Sequence, residues 1–273
     1  MGMRPTLDFI TALFVPADRP ERFGKAVSSG TDAVILDLED AVASQAKEKA
    51  RASLDTRFTG LPVIVRVNAS GTPWHAEDMA AASRLEPAAL MLPKTESVDT
   101  LDMIARGPAA DLPIIALIET ACGLSQARAI AAHPAVTRIA FGSVDFCADL
   151  GCAHEREALL VARSELVLAS RLANLLAPID GVTTVIDDPD IAADDARYGR
   201  FLGFGGKLCI HPKQIAPVLS GYMPDANEIA WANRVLASGD GAAAIDGAMI
   251  DEPVRIRARK ILALTISRNE GDS

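Results

Sequence analysis

The stretch AVILDLEDAV, residues 33–42, joins a short apolar run to a cluster of acids. Its first four residues are apolar and show no polar alternation, which is typical of a parallel strand covered on both faces. Asp37, Glu39 and Asp40 follow where that strand ends. A buried carboxylate is unfavourable unless a cation or a hydrogen-bond donor meets it. The stretch therefore predicts a buried strand with charged partners at its carboxyl end.

Seven further apolar runs repeat this pattern along the chain. They are FITALFVP (9–16), PVIVRVN (62–68), AALMLPK (88–94), PIIALIET (113–120), TRIAFGS (137–143), APIDGV (177–182) and GKLCIHP (206–212). Stretches of helical composition separate most of them, at intervals of about 25 residues. The repeats predict an α/β fold, a closed TIM (β/α)8 barrel, with an open doubly wound sheet as the alternative.

The tail of the chain contains two more helical stretches, which we predict at 224–238 and 252–267. The Gly/Ala-rich segment SGDGAAAIDGAM, residues 238–249, joins them. We therefore expect the barrel to occupy residues 1–221 and a C-terminal helical extension to occupy residues 222–273.

Composition narrows the class of protein. The 273 residues are 49% hydrophobic and 23% charged, with a net charge of −9, so a general nucleic-acid-binding surface is not expected. The four cysteines form no CxxC pair, which favours reduced thiols and a cytoplasmic location. The first apolar run is short and is followed by Pro16, Asp18 and Arg19, so we expect neither a signal peptide nor a membrane span.

Charged side chains follow most of the predicted strands. In a barrel the carboxyl ends of the strands share one mouth, where active sites lie. Glu119 and Asp145 follow the fifth and sixth strands, and oxygen ligands without a His or Cys cluster favour Mg²⁺, or Mn²⁺, over zinc. The alternative is that both acids are helix caps or salt-bridge partners.

Other strand-end residues leave similar alternatives open. Arg66 is able to clamp a substrate carboxylate through two parallel hydrogen bonds, or to form an ion pair with Asp37 or Glu39. Lys94 fits a Schiff-base lysine, a charge partner or a phosphate contact. His211 fits a general base, or a histidine that fixes the turn after the last strand. FLGFGGK, residues 201–207, lacks the dinucleotide fingerprint, which argues against a nicotinamide site.

Eight strings, in order, resemble one family. They are PADRPERFGKA, VILDLEDAV, VRVN, LMLPKTES, ALIETACGL, FGSVDFCADLG, GKLCIHPKQI and DGAMIDEPV. Together they resemble the citrate lyase beta-subunit-like proteins of the HpcH/HpaI aldolase and citrate lyase group. The resemblance implies a TIM barrel, usually a homotrimer, that acts on acyl-CoA or small oxo-acid substrates.

The resemblance also implies roles for individual residues. It carries over Glu119 and Asp145 as Mg²⁺ ligands, with Glu119 also near the substrate, and Arg66 as the clamp on the substrate carboxylate or carbonyl. Glu39 and Asp40 match an acid pair near the waters of the metal. Arg19 and Lys25 match the region near the CoA moiety, and Lys94 is assigned to the same cofactor as a phosphate contact.

Asp251, in AMIDEPV, matches an aspartate that reaches into a neighbouring subunit's site in the related malyl- and citramalyl-CoA enzymes. Through this match we expect the C-terminal extension to pack on a neighbouring subunit. In the reverse condensation Asp251 would then take the alpha proton of acetyl-CoA.

The expected activity is a Mg²⁺-dependent carbon–carbon lyase, or the reverse condensation. Its substrate is a small 3-hydroxyacyl-CoA such as citryl-, citramalyl- or malyl-CoA, and its products are an oxo acid and acetyl-CoA. One alternative is a class II aldolase that acts on free 2-oxo acids. The lack of a clear histidine at the early strand ends argues against it. Another is a beta subunit that depends on an acyl-carrier partner within a citrate lyase complex.

Overall fold

The computed structural model describes residues 7–239, 243–245 and 248–269. Its contacts divide the chain into two compact units, Met1–Leu219 and Ser220–Ser273. The predicted boundary between residues 221 and 222 lies close to this division. No helix in the described ranges has the length and hydropathy needed to cross a bilayer.

The first unit contains eight parallel strands that form a closed barrel in the order β1 to β8. They are β1 Thr11–Pro16, β2 Ala33–Asp37, β3 Val63–Arg66, β4 Ala89–Leu92, β5 Ile114–Ile118, β6 Val136–Phe141, β7 Ile179–Asp180 and β8 Gly206–Cys209. The barrel closes where Thr11 of β1 pairs with Lys207 of β8. The TIM barrel prediction is confirmed, and the open sheet is excluded.

Apolar strands form this barrel because both faces of each strand are covered. All five residues of β2 are buried. Successive side chains point to opposite faces, so Ala33 and Ile35 enter the interior cluster while Val34 and Leu36 face the helices. The interior cluster takes residues from all eight strands, including Ile64, Met91, Ile115, Ala140, Ile179 and Leu208. A filled interior leaves the ends of the strands as the place for a site.

Helices follow the strands. They are α1 Phe23–Val27, α2 Lys47–Ala52, α3 His75–Leu85, α4 Val98–Ile104, α5 Ala121–Ser125, α6 Ala127–Ala131, α7 Ser143–Leu150, α8 Arg156–Leu172, α9 Pro189–Leu202 and α10 Ile215–Tyr222. Local signals set several of their ends. Ser97 and Asp188 cap α4 and α9 through their side chains, and Gly203 ends α9 with a positive φ of 104°.

The strands are shorter than the apolar runs that predict them. The difference is large in APIDGV, where β7 keeps only Ile179–Asp180. The carbonyls of the flanking Ala177 and Gly181 accept hydrogen bonds from the side chains of Arg138 and Lys207. The run FITALFVP likewise begins pairing only at Thr11. Charged groups at the strand ends, such as Glu39 and Glu119, lie beyond the last paired residue.

The second unit contains helices α11 Ala226–Ala237 and α12 Glu252–Asn269, near the two predicted ranges. Their small core comprises Ala232, Val235, Ile250, Ala258 and Ile261. Between the helices lies an antiparallel pair, β9 Ala243–Ile245 and β10 Ala248–Ile250. This pair lies in the segment that joins the two helices, and the sequence analysis did not predict it.

Candidate active site

A cavity of about 900 Å³ opens at the carboxyl ends of the barrel strands. Its wall combines apolar strand residues with charged groups from at least five strand ends. The charged and histidine side chains in the wall are Arg22, Lys25, Asp37, Asp40, Arg66, Glu119, Asp145, His211 and Lys213. The sequence prediction that strand-end charges share one mouth therefore describes the structure.

Arg66, the last residue of β3, forms a double hydrogen bond with Asp37, the last residue of β2. Its Nε and Nη2 atoms each lie 2.7 Å from one Asp37 oxygen. Asp37 also accepts the backbone N–H groups of Glu39 and Ala41. The guanidinium rests on the ring of Phe14, 4.7 Å from its centroid. Of the two alternatives left open for Arg66, the ion pair is present in the structure.

The Arg66–Asp37 pair does not use all of the donors of the guanidinium. Nη1 lies 3.0 Å from Glu39 Oε2 and 4.0 Å from Asp40 Oδ2. A guanidinium has five N–H groups, and the hydrogen bonds with Asp37 use two of them, while Glu39 is in ion-pair contact with Nη1. Arg66 lines the cavity, so donors remain for a ligand carboxylate there.

Lys94 connects Glu39 and Glu119. Its Nζ donates to Glu39 Oε1 at 3.0 Å and lies 3.7 Å from Glu119 Oε1. Burial alone would lower the pKa of Lys94, but the hydrogen bond and charge of Glu39 and the charge of Glu119 raise it to about 12. The side chain therefore stays protonated, which fits a charge partner and argues against a Schiff-base lysine.

Glu119, directly after β5, has two oxygens in different surroundings. Oε1 accepts the backbone N–H of Lys94 at 2.8 Å. Oε2 is buried and has no hydrogen-bond partner among the described residues. The carboxylate lies over Gly142, where an added Cβ would come within 2.4 Å of Glu119 Cβ and Oε2. Burial, followed by the negative charge of Glu39, raises the pKa of Glu119 to about 8.

Asp145 lies in the first turn of α7 and lines the same cavity. Its charge contributes to the raised pKa of Glu119, so the two carboxyl groups are close enough to repel each other. Glu119 Oε2 has no hydrogen-bond partner among the described residues, whereas Oε1 lies 3.7 Å from Lys94 Nζ, as in the salt-bridge alternative. Within the described ranges no cluster of three or more His, Cys, Asp or Glu residues has a metal-binding arrangement.

The donor set fits a hard cation. Five carboxyl groups lie at one end of the barrel, those of Asp37, Glu39, Asp40, Glu119 and Asp145. The ion pairs that they form there involve two cations, Arg66 and Lys94. An unpaired buried carboxylate oxygen beside a second carboxylate is unfavourable until a cation or proton reaches it. Carboxylate oxygen donors suit Mg²⁺ or Mn²⁺.

The basic side chains predicted to meet CoA are not all at the cavity. Lys25 lines it, together with Arg22 and Lys213, which the sequence interpretation did not select. Arg19 instead pairs with Glu21 on the surface, through Nε at 2.8 Å. Lys94 contacts the two glutamates described above and is not among the cavity-lining residues.

His211 lines the cavity and is held by the turn after β8. Its Nδ1 accepts the backbone N–H of Lys213, and Gln214 Oε1 accepts the N–H of His211. Gln214 in turn donates to Thr183 and Val185 carbonyls. These bonds match the interpretation of His211 as a residue that fixes the turn.

Sequence reasoning missed two groups that support the acids. Asp37 was noted as one of three acids, but it is the residue that holds Arg66. Lys47 is buried, and its Nζ donates to the carbonyls of Leu38 and Glu39 and to Asn68 Oδ1. Lys47 belongs to the charged helix KEKARA, residues 47–52, and its sequence carries no signal that distinguishes it from a surface lysine.

Asp251 belongs to the second unit. Its Oδ1 accepts the backbone N–H of Val254 at 3.3 Å, and its carbonyl accepts the N–H of Arg255. The side chain thus caps the start of α12. Its action in a neighbouring subunit's site stays a prediction.

Comparisons with known proteins agree with the motifs. The family model for "HpcH/HpaI aldolase/citrate lyase" matches residues 11–212. A "Citrate lyase subunit beta-like protein" of Mycobacterium tuberculosis is 39% identical over 262 residues, which cover 92% of this chain and 93% of the relative. A "(3S)-malyl-CoA thioesterase" of Cereibacter sphaeroides is 34% identical over 268 residues, which cover 93% of this chain and 94% of the relative.

A solved structure has the same fold. It is described as protein CitE from Mycobacterium tuberculosis in complex with magnesium, acetoacetate and coenzyme A. The TM-score is 0.85 and the identity 37%, and the match covers 94% of this chain and 97% of that chain. The chain therefore belongs to the HpcH/HpaI aldolase/citrate lyase family, and the expectation of a carbon–carbon lyase is confirmed at that level.

Proposed function

We propose that this protein is a Mg²⁺-dependent carbon–carbon lyase that acts on a small 3-hydroxyacyl-CoA such as citryl-, citramalyl- or malyl-CoA. The observation that carries the proposal is the unpaired, buried Oε2 atom of Glu119, a residue that lines the same cavity as Asp145 and Arg66. The related CitE structure, solved with magnesium and coenzyme A, supports the same ligands here. The products would be an oxo acid and acetyl-CoA, and the reverse condensation uses the same groups.

Glu119 and Asp145 would hold the metal. When bound, Mg²⁺ supplies a Lewis acid that polarises the oxo-acid oxygens and stabilises negative charge. Lys94 holds Glu119 Oε1 through its backbone N–H, which leaves Oε2 for the cation. Glu39 and Asp40 lie around Arg66, where their oxygens would accept hydrogen bonds from water on the metal.

Arg66 would orient the substrate. Asp37 fixes the plane of the guanidinium by two hydrogen bonds, and Phe14 supports its face. The remaining N–H groups meet the carboxylate of the oxo acid, or the charge that develops on its oxygen. A guanidinium fixed in advance stabilises that charge without further rearrangement.

Basic residues of the cavity wall would meet the phosphates of CoA. Lys25 retains its predicted role, and Arg22 and Lys213 join it because they line the cavity. Arg19 and Lys94 remain proposed CoA contacts, although each is paired with glutamate in the free protein. Both would need to exchange that partner for a phosphate.

The test is an assay of the three thioesters with Mg²⁺, in which the oxo acid and acetyl-CoA are measured together. Glu119→Gln and Asp145→Asn should each lose at least a hundredfold in rate, about 2.7 kcal/mol of transition-state stabilisation. Glu165→Gln is the matched control, because Glu165 pairs with Arg128 on the surface. Full activity of wild-type protein in EDTA would refute the metal-dependent mechanism.

Hydrolysis of malyl-CoA is a second candidate, favoured by the thioesterase relative. The same assay separates the two, since hydrolysis gives malate and CoA in place of an oxo acid and acetyl-CoA. Cleavage of free hydroxy-oxo acids without CoA would favour the class II aldolase. Activity only with a thioester on an acyl-carrier protein would favour the citrate lyase subunit.

We propose a homotrimer, with the C-terminal extension of each chain packed on a neighbour, and a cytoplasmic location. The described cysteines are all free, which agrees with a reducing compartment. Light scattering during size-exclusion chromatography measures the number of chains. A monomer at micromolar concentration would contradict the trimer.

A further inference from the structure

Ser143 and His154 form a hydrogen-bonded pair at the wall of the cavity. Ser143 Oγ and His154 Nε2 are 2.9 Å apart. Ser143 is the first residue of α7, lines the cavity, and follows Gly142, on which the Glu119 carboxylate rests. The family motifs assign no role to either residue. Their contact joins the proposed reaction site to a histidine outside the barrel strands.

The serine hydroxyl is held in a narrow space. An added Cβ at Gly181 would come within 2.1 Å of Ser143 Oγ, so the oxygen lies directly over the glycine. Ser143 is 1% exposed, and His154 is half-buried on the other side. The hydroxyl is thus confined between the glycine, the imidazole and the cavity.

Charged groups on four elements surround His154. Arg163 of α8 and Lys207 of β8 oppose a positive imidazole, while Asp195 of α9 and Asp180 of β7 favour it. Burial, followed by the two cations, lowers the pKa of His154. At neutral pH the imidazole is therefore uncharged, and Nε2 is able to accept the Ser143 proton when the other nitrogen carries the hydrogen.

His211, which lines the cavity itself, has a different arrangement. Nδ1 of His211 accepts the backbone N–H of Lys213. In its neutral form His211 then carries its hydrogen on Nε2, which makes that nitrogen a donor. Within the part of the chain that the structure describes, His154 is the histidine whose ring nitrogen faces the hydroxyl of a cavity-lining residue, Ser143.

We propose that Ser143 and His154 together accept the hydroxyl proton of the 3-hydroxyacyl thioester during carbon–carbon cleavage. The inference rests on the proposed function and assigns the base for it. The substrate O–H bond breaks as its proton passes to Ser143 Oγ, and the Ser143 proton passes to His154 Nε2. The electron pair forms the carbonyl of the oxo acid, the C–C bond breaks, and the CoA enolate receives the bond's electrons. The enolate carbon takes a proton from water to give acetyl-CoA, and the imidazolium returns its proton to the solvent.

The experiment compares Ser143→Ala and His154→Gln with wild-type protein on the thioester that it cleaves fastest. Gln keeps an acceptor for Ser143 but does not titrate. We expect kcat to fall about 10²–10⁴-fold in both variants, with KM within about threefold. Wild-type kcat should fall on the acid side of pH 6.5, the ordinary pKa of histidine, and His154→Gln should lose that dependence.

His133→Asn is the control, because His133 contacts Asp102 and does not line the cavity. A His154→Gln protein with wild-type kcat and pH profile would overturn the inference. Nitrogen-15 NMR adds a readout independent of turnover: hydrogen on Nε2 of His154 at pH 8 would also overturn it. A wild-type protein that cleaves none of the three thioesters would instead refute the proposed function, and the role of the pair with it.

Discussion

The carboxylate of Glu119 has one hydrogen-bonded oxygen, Oε1, and one oxygen without a hydrogen-bond partner among the described residues, Oε2. The N–H of Lys94 fixes Oε1, and the neighbouring glycine lets Oε2 lie against the backbone of the next strand end. Burial without a partner makes the charged form costly, which is why its pKa rises to about 8. A bound divalent cation would stabilise the charged form. The carboxylate is therefore unfavourable without a metal and suited to binding one.

Mg²⁺ binding should release a proton from Glu119. Below pH 8 most of this carboxyl group is protonated in the metal-free protein, so the cation must displace the proton. We expect Mg²⁺ affinity to rise about tenfold per pH unit up to this pKa and to level off above it. Calorimetry at pH 7 in two buffers of different ionisation enthalpy counts the protons. An affinity independent of pH between 6 and 8 would contradict the assignment.

Lys94 has a positive φ of 46°, in the left-handed region that disfavours side chains with a Cβ. Lys94→Gly and Lys94→Ala both remove the ammonium, but only glycine relieves the backbone. We expect the glycine variant to unfold at higher urea concentration, with an advantage of about 0.5–1 kcal/mol in free energy of unfolding. Both should lose activity equally, and an alanine variant as stable as the glycine variant would contradict this.

Single residues were predictable where their chemistry matched their position. Arg66, Glu39, Glu119 and Asp145 stood out because each charge lies at or shortly after the end of an apolar run. Lys47 and the Ser143–His154 pair did not, because their partners lie 21 and 11 residues away and are fixed by folding alone. For Arg66, the sequence allowed either a clamp on the substrate carboxylate or an ion pair with a neighbouring acid. The structure shows the ion pair with Asp37.

The turn after β6 shows how an element positions the site. Gly142 precedes α7, and its missing side chain gives Glu119 the space that it occupies. β6 thus ends next to the carboxylate of Glu119, the residue that follows β5. The first turn of α7 then places Ser143 and Asp145 in the cavity wall. The glycine is a steric requirement, since its φ of −86° is open to any residue.

Gly142→Ala should disturb both stability and metal binding. The new Cβ would meet Glu119 Cβ and Oε2 at 2.4 Å, so the carboxylate must move. We expect a loss of about 1–3 kcal/mol in the free energy of unfolding and at least a tenfold loss of Mg²⁺ affinity. Gly24→Ala in α1 is the control, since no atom lies within 4 Å of its added Cβ. Equal behaviour of the two variants would refute this packing argument.

Strand positions were predictable from apolar runs, but their ends were not. The runs extend into residues such as Glu39 and Lys94, which leave the ladder to form ion pairs. β7 is short because pairing partners, not composition, decide where a strand ends. The β9–β10 pair was missed because alanine and glycine in that segment favour a linker by composition.

At the scale of the molecule, the barrel brings together acids that are far apart in the chain. Parallel strands place all of their carboxyl ends at one mouth, so acids as far apart as Asp37 and Asp145 line the same cavity. No local sequence pattern predicts the distances between them. The sequence predicts the barrel and its mouth for this reason. It does not predict how the second unit, which carries Asp251, is used in an assembly.

Mixed assemblies test the proposed role of Asp251 between subunits. Asp251→Ala and Glu119→Ala chains should each be inactive alone, with oxo-acid binding retained by the Asp251 variant. Coexpressed chains should regain about a quarter of the wild-type sites, because some sites then combine an intact Glu119 with an intact neighbouring Asp251. Mixtures that stay inactive, although their chains exchange, would contradict an intersubunit site.

The central claim is that Glu119 and Asp145 hold one divalent cation beneath Arg66. Anomalous diffraction from crystals grown with Mn²⁺ and pyruvate locates such an ion directly. The account predicts one strong peak within about 2.3 Å of Glu119 Oε2 and of an Asp145 oxygen, and no peak in Glu119→Gln. A peak elsewhere in the cavity, or carboxyl groups too far apart to share the ion, would contradict it.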